Sequence, residues 1–109
     1  MKNWYNDLEA RFSTFTGDVQ ILHMVSDLTK ADNLKSVNIN SSKNHLLRAL
    51  ILLNYIINNP KWQPKLRELL RLREAIGPLI VDNPLGSTSQ IISAALQIDF
   101  KAYRAYHSI

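Results

Sequence analysis

The chain is expected to fold as an all-α compact bundle of about five helices, with a central apolar helix at 42–58. Three observations predict this. Apolar residues recur at helical spacing in several segments, and no stretch alternates with the period of two that marks a half-buried strand. Proline and glycine fall between those segments, at Gly17, Pro60, Pro64, Gly77, Pro78, Pro84 and Gly86, where they act as breaks. The 109 residues are 46 % hydrophobic and 20 % charged. That is the make-up of one globular domain, 1–109, able to bury roughly two thirds of its unfolded surface.

The first helix, about 2–12, places Trp4, Tyr5, Leu8 and Phe12 on one face, and "STFTG" ends it. The second, about 18–30, gathers Ile21, Leu22, Met24, Val25 and Leu28 in one arc, with Gln20, His23 and Asp27 opposite. Residues 31–43, "ADNLKSVNINSSK", read as a polar loop. Ser42 is placed to cap the third helix, 42–58. Apolar residues run nearly all round that helix from Leu46 to Ile57, which marks it as the central element. With Trp4, Tyr5 and Phe12 adding aromatic surface at one end, a homodimer is expected.

"NNPKWQP" stops the third helix, because proline cannot donate to the helical ladder. The fourth opens near Pro64 and runs to Ile76. Gly77 is then a left-handed cap and Pro78 a stop, followed by a linker with a short apolar helical turn at 79–81. Ser87 and Gln90 have capping-box spacing, so the last helix starts at about 88.

Several kinds of chemistry are missing. There is no cysteine, so no disulfide or thiolate zinc site can form, and a reducing, cytoplasmic setting is expected. His23, His45 and His107 are far apart and lack partners at metal spacing. No glycine-rich phosphate loop occurs. Glu68 and Glu74 fall near opposite sides of one helix and cannot act as an acid/base pair. The expectation is a non-enzyme without metal or cofactor. The most apolar run, "LLRALILLNYII", is interrupted by Arg48 and Asn54 and is shorter than the roughly twenty residues of a membrane span. The N-terminus has no apolar signal region, so no membrane partner is expected.

Net charge is +4 and the pI is about 9.6, with the basic excess beyond residue 40. An anionic partner fits that balance, either nucleic acid or an acidic protein face. In "PKLRELLRLREAI" Leu66, Leu69, Leu70, Leu72 and Ile76 make the apolar arc, while Arg67 and Arg71 are adjacent on the other side. That pair is a candidate clamp for phosphates or carboxylates. Arg73 falls inside the apolar arc, so it is expected to snorkel or to pair with a carboxylate, Asp99 or Asp82.

The C-terminal "STSQIISAALQIDFKAYRAYHSI" admits two readings. As one helix, Ile91, Ile92, Ala95, Leu96, Ala102, Tyr103 and Tyr106 share an arc of about 140°. Ile98, Asp99 and Phe100 then all sit badly. A break there removes the three misfits together and gives a helix-turn-helix over 88–107. Ile92 and Leu96 become core, Ser93 the small contact, Ile98 the plug of the turn and Asp99 the cap of the second helix. Tyr103 and Tyr106 then seat the second helix, and Gln97 occupies the turn position where glycine is usual. The run "AALQIDFKAYRAY" resembles the closing segment of bacterial helix-turn-helix regulators, including Fis-type proteins, over about a fifth of the chain. That resemblance implies double-stranded DNA as partner, with Lys101 and Arg104 toward it and Arg67 and Arg71 assisting. The alternative expectation is a protein-interaction module (an adaptor, chaperone or inhibitor) that uses an apolar helix face rimmed by Arg67 and Arg71.

Overall fold

Helices form where the apolar spacing places them, and their ends are set by side chains that reach free backbone groups. The computed structural model describes the backbone of residues 4–81 and 88–108 and the side chains of 8–80 and 88–108. In chain order these are α1 (Trp4–Ser13), α2 (Gly17–Leu34), α3 (Ile39–Asn58), a 3₁₀ segment (Pro60–Lys65), α4 (Leu66–Val81), α5 (Thr88–Ile98) and α6 (Phe100–His107). No strand occurs among the described residues. The fold is an all-α bundle, with the last expected helix divided in two.

The polar stretch 31–43 is largely helical. α2 continues to Leu34 because Ala31, 1 % exposed, is still in the core. Asn38 caps α3 instead of Ser42, accepting from the Ser41 N–H at 3.1 Å. Ser42 lies one turn further in, where its hydroxyl donates to the Ala31 carbonyl at 2.6 Å. It ties two helices together rather than starting one.

α3 buries the row Ser42, Leu46, Ala49, Leu53 and Ile56. Its other side is less enclosed, with Leu47 44 % exposed and Leu50, Leu52 and Ile57 half-buried. It packs on α1, α2, α4 and the 3₁₀ segment, while α2 packs on α3, α5 and α6. The centre of the bundle is therefore the α2–α3 pair. Ile21, Met24 and Leu28 of α2 meet Leu53 and Ile56 of α3, Leu69 and Ile76 of α4 and Leu96 of α5 in one apolar cluster. Each such side chain contributes about 1.5–3 kcal/mol by leaving water.

α4 does not stop at Gly77. It continues through Pro78 to Val81, since Leu79, 7 % exposed, remains anchored in the core. Proline at 78 removes one ladder hydrogen bond and crowds the preceding turn. Gly77 eases the strain, because the residue before proline is normally kept out of helix by its own Cβ. A Cβ at 77 would otherwise meet nothing within 4 Å. Pro64 lies inside the 3₁₀ segment rather than at the start of α4. The expected Ser87 cap and the Trp4 and Tyr5 side chains lie outside the described residues. No helix among the described residues is long and apolar enough to cross a membrane.

Candidate nucleic-acid interface

The C-terminal stretch is two helices. Asp99 alone separates them, extended at φ −131° and ψ 118°, and its Oδ1 accepts from the Ala102 N–H at 2.9 Å. A carboxylate at a helix start also meets the positive end of the helix dipole. The three expected misfits are thereby resolved: Ile98 is 9 % exposed, Asp99 is a cap, and Phe100 points outward at 71 % exposure. The turn is shorter than the expected one, since Ile98 too belongs to α5. Gln97 is still within α5, so no left-handed residue is used there. The extended cap redirects the chain two positions later.

Gly17 makes room for this corner. A Cβ at 17 would lie 3.0 Å from Trp62 Cζ2 and 3.5 Å from Asp99 Oδ2. The bare backbone lets the start of α2, the Trp62 ring and the cap of α6 come together. α2, α5 and α6 all touch one another.

α6 buries Ala102 completely and Tyr106 in part. Tyr103 does not seat the helix as the sequence predicts. It is 42 % exposed and packs on the His107 ring, with centroids 4.4 Å apart. The residue facing the bundle is Ala102, and Tyr103 is turned about 100° away from it. Ser93 is exposed too, and the small buried residue of α5 is Ala95.

Lys101 and Arg104 are exposed and line a shallow depression with Ala105 and Ser108. The Arg104 guanidinium carbon lies 5.7 Å from the centre of the Phe100 ring. Lys101 has an acidic neighbour in Asp18, at the start of α2. The Asp18 carboxyl is held below its usual range chiefly by the Thr16 hydroxyl, then by backbone N–H groups of Val19 and its own residue, with Lys101 adding to the effect.

Arg67 and Arg71 are exposed on α4. Arg71 borders a groove of about 520 Å³ between α4 and α5, floored by Leu72, Ala75, Ile91 and Ala94. Thus Lys101 and Arg104 share one depression, Arg71 belongs to a separate groove, and Arg67 lines neither. Arg73 snorkels. It is exposed, and its Nη1 donates to Asn54 Oδ1 at 3.2 Å, an amide rather than a carboxylate. The buried row of α4 runs through Leu69, Leu72, Ile76 and Leu79, which leaves Arg73 at the edge facing α3. Asp99 is committed to its cap, and Asp82 lies outside the described residues.

Two buried polar residues stand where the sequence reading placed a solvent face. Gln20, 0 % exposed, donates to the Phe12 carbonyl at 2.8 Å and accepts from Trp62 Nε1–H at 2.7 Å. Asp27, 5 % exposed, pairs with His45 Nδ1 at 3.1 Å and lies 3.7 Å from Arg48 Nε. Their positions, 20, 24, 27 and 31 with Met24 and Ala31, form a core row of their own. That spacing was a visible signal. Among the described residues no group of three potential ligands could hold a metal ion.

No protein-family model matches the chain, and neither the curated proteins nor the solved structures contain a match.

Proposed function

We propose that this protein is a non-catalytic DNA-binding regulator that acts as a cytoplasmic homodimer. The observation that carries this reading is the break at Asp99. The capped break sets α6 against α2 and α5 through Ala102 and leaves Lys101 and Arg104 facing outward. Three mutually touching helices also occur in three-helix variants of the helix-turn-helix, in which the third helix reads the major groove. Two cations per chain are few for a DNA ligand. A dimer doubles them, and Arg67 and Arg71 of α4 supply further contacts to flanking phosphates.

A second reading is favoured by the groove between α4 and α5. Its apolar floor and its rim of Lys65, Glu68 and Arg71 suit an amphipathic helix of a protein partner. The two readings differ in their response to salt. Duplex binding at low salt, weakening steeply as salt rises, supports the DNA reading. In that case Lys101→Ala and Arg104→Ala each weaken binding without changing thermal stability. Absence of duplex binding at low salt rejects the DNA reading and leaves the groove as the functional surface.

A further inference from the structure

Phe100 contributes no buried ring to the bundle. It is 71 % exposed, although it is the first residue of a helix whose inward side is apolar. Arg104 covers it at 5.7 Å from the ring centre, a cation–π contact that restrains the ring without removing it from water. At about 100° per residue, Phe100, Arg104 and His107 lie on one stripe of α6, with Lys101 beside it. All four are exposed. The outermost line of α6 therefore combines one apolar ring with Arg104 one turn further on and Lys101 to the same side, and the ring stands at the end of the helix nearest the cap.

That placement has a chemical meaning in a DNA groove. Recognition helices present their N-terminal residues to base edges. In the major groove the base edges offer hydrogen-bond donors and acceptors, and a single apolar group, the C5 methyl of thymine. A phenylalanine ring cannot use the donors and acceptors, but it can cover the methyl. Arg104 and Lys101, both on one side of the ring, match the phosphates that border the groove on that side. We infer that Phe100 is a specificity-determining residue that contacts the 5-methyl group of thymine, with Arg104 positioning its ring. The inference rests on the DNA-binding reading above.

The test uses the full chain and a duplex enriched from a random-sequence pool, prepared once with thymine and once with deoxyuridine. The two forms differ only in the methyl groups. The wild-type protein binds the thymine form more tightly, by about fourfold for each methyl covered, the ratio that corresponds to burying one further carbon. Phe100→Ala binds both forms equally and keeps the wild-type salt dependence, because it removes no charge. Phe100→Leu, which preserves an apolar contact, keeps part of the preference. Equal binding of the two forms by the wild type overturns the inference and leaves the DNA reading standing. A thymine preference that survives in Phe100→Ala also overturns it, since the preference then comes from DNA shape or another residue. If the pool yields no bound duplex, the inference falls together with the reading beneath it.

Discussion

Short connections join α1 to α2 and α5 to α6, and the two corners are secured in opposite ways. At the first, side chains from elsewhere hold the turn. Gln20 bridges the Phe12 carbonyl and the Trp62 indole, and Lys61 Nζ donates to the Phe15 carbonyl at 2.6 Å. At the second, Asp99 caps the helix it begins, and little of α6 is buried beyond Ala102. The first corner encloses the Gln20 amide and the Trp62 N–H, so these are unavailable to a partner. The second needs only one side of α6 for packing, so the remaining residues are free to meet something outside the protein. Gln20 at the first corner thus serves stability, while the proposed recognition role falls to the exposed residues of the second.

Substitutions can sharpen that contrast. The largest effect is expected from Gln20→Ala, which leaves the buried Trp62 N–H without its partner and the Phe12 carbonyl with only the Phe15 N–H. A buried donor left unpaired costs about 1–3 kcal/mol, so urea unfolding should show a loss of about 2 kcal/mol. A loss below about 1 kcal/mol would mean that water replaces the amide and that the first corner is not sealed. Asp99→Ala should cost about 1 kcal/mol, the value of a helix cap. It should also weaken duplex binding more than that stability loss accounts for, because α6 loses its defined start.

Gln97→Gly is expected to lower stability by about 0.5–1 kcal/mol, the cost of glycine in a helix. A gain would mean that a left-handed turn forms at 97 after all. The smallest stability change belongs to Asp18→Asn, whose main readout is binding. Removing the acid beside Lys101 should tighten duplex binding at low salt. The pH dependence has a definite sign. Asp18 is held below its unfolded range, so its stabilising contribution is present above that range and fades as pH falls through the folded value. Acid unfolding of Asp18→Asn should lack that component.

Much of the fold was legible because apolar spacing is a strong signal for helices. The core residues Ile21, Met24, Leu28, Leu53 and Ile56 all lie in segments recognised by it. The break at Asp99 was legible as well, since three misfits coincide at 98–100. The sequence reading failed where a polar residue has a partner distant in the chain. Gln20 and Asp27 sit at core spacing, but only Trp62 and His45, brought close by folding, make their burial tolerable. It failed at Gly77 and Pro78, where a helix breaker is overruled by the anchoring of Leu79. It failed at Tyr103 because the angle between α5 and α6 decides which side of α6 faces inward. A single extended residue sets that angle, and spacing counted along one continuous helix cannot express it.

The central claim is that α6 is held by its cap so that its outward cations meet DNA phosphates. Fluorescence anisotropy of a labelled duplex over a salt series tests it most directly, comparing wild type with the double variant Lys101→Ala/Arg104→Ala. Affinity of the wild type should fall linearly on logarithmic axes, and the double variant should bind more weakly with a slope shallower by about two units, one for each lost phosphate contact. Identical slopes, or no duplex binding by the wild type at low salt, would contradict the account.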